Sequence, residues 1–173
     1  GIEKGTVNNW GLELGGILNI DHHAPVPEMQ RRISSTNLAI TYVKEKGIVR
    51  TPVVINHTDC DSVLSSMIVS GMIGPLEFFG SAAIAADHTG EQNYMADLLQ
   101  ALDPLRDFDY SKAELENVLL GKKISEKSKE LLEKRLNERK MAKRLAGDFE
   151  HTSQGIAYLQ SETRISGEFL PSL

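Results

Sequence analysis

Residues 52–56 place the strongest constraint on the fold of this 173-residue chain. The run includes Val53, Val54 and Ile55, three consecutive β-branched residues, which is typical of a strand buried on both faces of a parallel sheet. A second apolar run of β type spans residues 15–20, and residues 155–160 have the composition of one more strand. Helical patterns separate these runs. The sequence therefore predicts an α/β fold, with a mainly parallel sheet flanked by helices.

The C-terminal part of the sequence shows helical patterns and a long charged segment. Residues 93–102 and 112–120 are predicted to be helices, and residues 125–146 form a long charged segment in which lysines and arginines alternate with glutamates. This alternation favours pairs four residues apart on a solvated helix and indicates a connecting helix rather than a nucleic-acid contact. We therefore predict a metal-binding α/β domain over 1–123 and a connecting helix over 124–147. The remainder, 148–173, is either the start of a C-terminal substrate domain or a closing strand.

The composition excludes several classes of protein. Hydrophobic residues make up 40% and charged residues 25%, as in an ordinary globular domain. No apolar run approaches the roughly 20 residues that a membrane span needs, and the N-terminus does not resemble a signal peptide. We therefore predict a cytoplasmic protein without a membrane partner. Cys60 is the single cysteine, which excludes an internal disulfide and a thiolate-rich metal site.

The net charge of −5 also bears on the possible partners. Long nucleic acids are usually held by clustered lysines and arginines, so the charge argues against a large phosphate-binding footprint. It leaves a small phosphorylated substrate, a short nucleic acid and a homo-oligomer open.

Three polar clusters each lie immediately after an apolar run, namely residues 15–20, 52–56 and 78–86, and periodicity does not decide whether the last of these runs is helix or strand. The carboxyl ends of parallel strands line one crevice, so we expect these clusters to converge although they are distant in sequence. Four of the 5 histidines fall within them, and each cluster also carries a carboxylate. Such a mixed set suits manganese, iron, zinc or cobalt. The clusters are Asp21, His22 and His23; His57, Asp59 and Asp61; and Asp87 and His88.

A divalent metal at this place would support hydrolysis, most simply of a phosphoester. Two cations about 3.5–4 Å apart polarise a phosphoryl group and deprotonate a bridging water at neutral pH. An imidazole that does not bind the metal is then free to contact a phosphate oxygen or to protonate the leaving group.

At these residues the sequence resembles the DHH phosphoesterase superfamily. The resemblance covers roughly residues 15 to 90. It rests on the triplet at 21–23, the Ser-Ser-Thr at 34–36, the Asp-x-Asp-Ser at 59–62, and Asp87 in a context similar to the family's Asp-Thr-Gly motif. It implies a DHH-like fold and a hydrolase that uses divalent metal, most often Mn²⁺, with Fe²⁺, Co²⁺ or Zn²⁺ as alternatives.

The resemblance also implies a role for each residue. Its metal ligands would be His22, His57, Asp59, Asp61 and Asp87. His23 would face the phosphate, and Asp21 would orient its neighbouring imidazole. We count His88 with these two as catalytic, although the alternative is that it replaces the family's threonine on the crevice wall.

The sequence departs from the family pattern in three ways. In the family the paired aspartates come before the triplet, whereas here the triplet comes first, which indicates a permuted arrangement. The family also has two further aspartate motifs, the Asp-Thr-Gly motif and one that bridges the metals. Only Asp87 is available here for both, which leaves a single-metal site open. The family's glycine-rich stretch ending in histidine does not occur, so either the chain is a piece of a longer protein or substrate recognition differs.

Two alternative functions are left open by these observations. One is a metal-dependent hydrolase or transferase with a non-phosphate substrate, and another is a non-enzymatic module with a degenerate site. At the level of residues, Asp59 and Asp61 are also suited to capping the following helix, and Cys60 between them is expected to point into the core.

Overall fold

A computed structural model of the chain describes residues 6–23, 33–145, 150–151 and 157–158. Within these ranges the structure is predominantly helical. The predicted parallel sheet is wrong, because all described strand pairs are antiparallel. The strands are β1 (Thr6–Asn8), β2 (Gly11–Leu14), β3 (Ile17–Asn19), β4 (Glu150–His151) and β5 (Ala157–Tyr158).

The N-terminal sheet is a meander in the order β1-β2-β3. Gly15 and Gly16 join β2 to β3 with φ angles of 59° and 78°, which is the backbone conformation of a tight hairpin turn. The hairpin pairs Leu14 with Ile17, so the apolar run at 15–20 folds back on its own neighbour. Local pairing therefore takes the place of the predicted long-range parallel pairing.

The predicted strand at residues 52–56 is also wrong. No part of it is assigned to a strand, and Val54 is 86% exposed. Its β-branched composition favours an extended backbone, but a strand also needs a neighbour with which to form hydrogen bonds. No strand among the described residues pairs with it.

Helices account for most of the described chain, and α2 lies at the centre of the core. Eight of its ten residues are buried, including Leu64 and Met67. Cys60 is fully buried at its start, as predicted. The helices are α1 (Ser35–Lys46), α2 (Cys60–Val69), α3 (Glu77–Ile84), α4 (Tyr94–Leu102), α5 (Phe108–Leu119) and α6 (Glu126–Leu145).

The starts of α1 and α2 are fixed by side-chain caps. Ser34 forms a capping box with Asn37 at the start of α1, and Asp59 accepts a hydrogen bond from the backbone of Ser62 at the start of α2. Helix α3 packs closely on α1 through Gly80, where an alanine Cβ would lie 2.2 Å from Asn37 Nδ2.

Helix α3 continues into a π-helical turn, Ala85–Thr89, which ends at Gly90 with φ 63°. Periodicity alone does not decide between helix and strand for residues 78–86, and the structure shows that they are helical. π-Helical turns are rare and occur frequently at functional sites. This one carries Asp87 and His88.

The predicted long charged helix is confirmed as α6, but part of its charge is not solvated. Arg135 and Arg139 are buried and contact Asp97 of α4. A charge pattern along one helix cannot reveal a carboxylate on another. No helix among the described residues combines the length and the apolar character that crossing a membrane requires.

Candidate metal centre

One cleft of about 1290 Å³ collects the polar clusters, between β3, the extended segment before α2, and the π-helical turn. All of the predicted site residues line it. They are Asp21, His22, His23, His57, Asp59, Asp61, Asp87 and His88.

Asp61 is the best-anchored of these residues. It lies in the first turn of α2, and its carboxylate reaches across to the start of α1. Oδ2 accepts a hydrogen bond from the backbone of Ser35 at 2.8 Å, and Oδ1 accepts from both the backbone and the hydroxyl of Thr36 at 2.7 Å. The carboxylate thus satisfies backbone donors that would otherwise lack partners at the amino end of α1, where the helix dipole also favours negative charge.

These contacts keep Asp61 ionised although it is buried. Burial by itself raises the pKa of a carboxyl group, but the hydrogen bonds from His22, Thr36 and Ser35 outweigh it and lower the pKa of Asp61. A buried carboxylate held in its charged form is a suitable ligand for a cation.

His22 faces this carboxylate from the end of the N-terminal sheet. Its Nδ1 lies 3.3 Å from Asp61 Oδ2 and 3.1 Å from the Ser35 hydroxyl. The hydrogen bond to Asp61 raises the pKa of His22, against the opposing effect of partial burial. The imidazole is therefore oriented by two neighbours before any ligand binds.

Asp87 completes a group of three. His22, Asp61 and Asp87 each offer a ligand atom, and these atoms all lie within 4.8 Å of one another. Two ligands of one cation at about 2.1 Å stand about 3.0 Å apart in octahedral and about 3.4 Å apart in tetrahedral geometry. The 3.3 Å between His22 Nδ1 and Asp61 Oδ2 falls within this interval, so these two atoms are spaced as two ligands of one divalent cation would be. The negative charge of two carboxylates would be balanced by the cation.

His88 lies next to this group. Its Nε2 is 2.8 Å from the carbonyl oxygen of Ile33, and its ring centroid is 5.7 Å from that of His22. Because a carbonyl only accepts hydrogen bonds, Nε2 is the nitrogen that donates here. In the neutral ring this tautomer leaves the lone pair on Nδ1.

His23 and Asp21 form a more exposed pair beside the cluster. The backbone and Nδ1 of His23 lie 2.8 Å and 3.1 Å from Asp21 Oδ1, so the aspartate orients the imidazole. The ring is 78% exposed and its centroid lies 3.9 Å from that of His22. With His22 these two residues make a second group whose ligand atoms lie within 4.8 Å of one another.

The structure does not bring His57 and Asp59 into either group. Among the described residues, the two candidate groups contain neither of them. Asp59 uses Oδ1 to cap α2 at 2.8 Å from the backbone of Ser62, and His57 is exposed at the edge of the cleft. Their roles as ligands stay predictions.

Two residues matter more than the sequence indicated. Ser35 and Thr36 entered the argument only as a family-like spacing, yet they supply most of the hydrogen bonds that hold Asp61. The available signal was the Ser-Ser-Thr run, which is typical of a helix start, where backbone N–H groups lack partners within the helix and donate to outside acceptors.

Comparison with known proteins gives no relative: no family model matches the chain, and no curated protein or solved structure matches it. The likeness to DHH phosphoesterases therefore stays a prediction from the motifs.

Proposed function

We propose that this chain is a metal-dependent hydrolase of phosphoesters whose metal is held by His22, Asp61 and Asp87. One observation carries the proposal: three ligand atoms from segments far apart in sequence lie within 4.8 Å of one another. Asp61 is fixed between two helices, and His22 is oriented by Asp61 and Ser35.

The residues around the group support hydrolysis rather than storage of a metal. A divalent cation supplies a more acidic bound water and polarises a phosphoryl oxygen. His88 lies in the same cleft and donates from Nε2 to a carbonyl oxygen, so in its neutral form Nδ1 is the nitrogen suited to accept a proton from the attacking water. His23 is exposed and held by Asp21, which suits it to contact a phosphate oxygen or to protonate the leaving alkoxide.

The cleft and the charge of the chain bear on the substrate. The cleft is large enough for a small phosphorylated molecule or the end of a short oligonucleotide. Because the cluster is acidic, a bound cation is needed before a phosphate is attracted. The buried, unpaired Cys60 is compatible with the reducing cytoplasm, which we include in the proposal.

Metal binding and phosphodiesterase activity test the proposal together. Mn²⁺ affinity is measured by electron paramagnetic resonance, and activity with bis(p-nitrophenyl) phosphate and short oligonucleotides. We expect His22→Ala to lower Mn²⁺ affinity and turnover by more than about 100-fold, because it removes a direct ligand. His57→Ala is the comparison variant: His57 lies in the same cleft but outside the group, so we expect it to keep Mn²⁺ affinity, and an equal loss would support the ligand role that the motif predicts for it.

Two results would contradict the proposal. Equal Mn²⁺ affinity in wild type and His22→Ala would show that the ligand set is wrong. Tight Mn²⁺ binding without hydrolysis of any phosphoester tested would show that the site serves another reaction or a regulatory role.

A further inference from the structure

A buried group of three charged side chains joins α4 to α6. Asp97 of α4 is 1% exposed, and its Oδ1 lies 2.5 Å from Arg139 Nη2 and 3.3 Å from Arg135 Nε, both on α6. Removing charges from water is costly unless they are paired and hydrogen-bonded. Both guanidinium groups lie against the same carboxylate oxygen, Oδ1, so the opposite charges are paired and α6 is held against α4.

Arg139 also reaches the π-helical turn. Its Nη1 donates a hydrogen bond to the carbonyl oxygen of Gly90, the residue that ends the turn. The backbone N–H of Gly90 in turn donates to the carbonyl oxygen of Ala85 at 3.0 Å, which closes the turn. Gly90 is therefore held on both sides, by the turn itself and by a buried arginine.

This contact matters because of what the turn carries. Asp87 and His88 lie three and two residues before Gly90, inside the turn. π-Helices occur mostly as single turns because they are less favourable than α-helices, so their geometry depends on outside contacts. Two such contacts stand out: the Ile33 carbonyl oxygen, which accepts from His88, and Arg139 at Gly90.

We propose that Arg139 is a positioning residue for the metal centre, which it serves by fixing through Gly90 the turn that presents Asp87. This inference rests on the proposed function, because it assigns Asp87 to the metal. Arg139 does not itself belong to the group of ligand atoms, so its effect is transmitted through the backbone.

The geometry explains why an arginine is needed. One nitrogen of the guanidinium group serves Asp97 and another serves Gly90, and the planar fork keeps both in fixed relation. A lysine in its place supplies one nitrogen, which preserves the charge beside Asp97 but cannot reproduce both contacts. Arg139→Lys therefore keeps the charge that stabilises the contact with Asp97 but loses the second contact, which positions Gly90.

The experiment compares two conservative variants of the full chain, Arg139→Lys and Arg135→Lys. Both arginines lie on α6 and contact Asp97 Oδ1, and Arg139 also donates to the carbonyl oxygen of Gly90. Mn²⁺ affinity is measured by electron paramagnetic resonance, and thermal unfolding is followed in parallel. We expect Arg139→Lys to weaken Mn²⁺ binding by about 10-fold. This is the low end of the loss in affinity that follows when a residue that orients a metal ligand is replaced. Arg135→Lys should lower the melting temperature about as much as Arg139→Lys does but leave the Mn²⁺ affinity unchanged.

If Arg139→Lys fails to fold, the double variant Asp97→Asn/Arg139→Gln replaces it, because it removes opposite charges together. It should show the same loss of Mn²⁺ affinity. The proposal is overturned if the folded Arg139 variant binds Mn²⁺ as wild type does, or if Arg135→Lys weakens binding equally.

The His22→Ala variant distinguishes the two proposals. If His22→Ala loses Mn²⁺ affinity while Arg139→Lys keeps it, only the role of Arg139 is refuted. If His22→Ala also binds Mn²⁺ normally, the metal centre itself is refuted, and the role of Arg139 with it.

Discussion

Replacing Asp61 and Asp59 separately by asparagine tests the structural basis of the site. The two aspartates lie two residues apart at the start of α2, and the same isosteric change removes the same charge from each. Asp61 accepts hydrogen bonds from Ser35 and Thr36 across the interface with α1, whereas Asp59 caps its own helix. We expect the two variants to behave differently.

The contacts give the size of the expected difference. Asparagine at position 61 keeps one oxygen for Thr36, but its NH₂ group then faces the backbone N–H of Ser35, which loses its acceptor. The loss of a charge-assisted hydrogen bond and the burial of an unsatisfied donor together cost about 3 kcal/mol. In a chain of this size that lowers the melting temperature by roughly 6–12 °C. Asparagine caps helices as well as aspartate does, so Asp59→Asn should cost less than about 0.5 kcal/mol.

The assay is urea unfolding in the presence of a chelator, followed by Mn²⁺ titration of each variant. Asp61→Asn should lose both stability and Mn²⁺ affinity, while Asp59→Asn should retain both. Equal losses of stability would refute our account of the two carboxylates. Loss of Mn²⁺ affinity in Asp59→Asn alone would restore the ligand role that the motif predicts for Asp59.

Two further predictions concern stability. Gly80→Ala should destabilise the protein by about 1–2 kcal/mol, because the added Cβ displaces Asn37 from the capping box of α1; stabilisation in urea unfolding, as usually follows glycine-to-alanine changes in helices, would contradict the packing described. In metal-free protein, the stability advantage of wild type over His22→Gln should be greatest between the ordinary pKa values of aspartate and histidine, 3.8 and 6.5. The lowered pKa of Asp61 means that its contribution is lost as the pH falls through the folded value, and the raised pKa of His22 means that its contribution is lost as the pH rises through the folded value. If the difference in unfolding free energy between wild type and His22→Gln increased from about pH 5.5 to about pH 8.5, this ion pair would not stabilise the fold.

The parts of the fold that depend on local sequence could be predicted. The start of α2 follows from a capping residue before an apolar run, and α1 ends at Gly47, a residue type that commonly ends helices. The sheet could not be predicted, because pairing depends on which segments meet. Residues 52–56 have the composition of a strand but no described strand beside them, and the glycine pair at 15–16 directs β3 into a hairpin.

The same division applies to the candidate site. Residue types and their clustering were sufficient to name the side chains that line the cleft. They were not sufficient to distinguish Asp59 from Asp61, since both have the same chemistry and stand at the same helix start. The difference arises because Asp61 meets the amino end of α1, a contact between residues 25 and 26 positions apart.

The π-helical turn before Gly90 makes the direction of Asp87 depend on chain length as well as on residue type. A π turn accommodates one more residue than the α-helical turn that it replaces. Deleting a single alanine from Ala85–Ala86 would therefore allow the segment to relax into a regular α-helix. Gly90 and the residues after it would then keep their register, whereas Asp87 inside the turn would be rotated around the helix axis, and its carboxylate would be displaced from His22 and Asp61 without any ligand having been substituted.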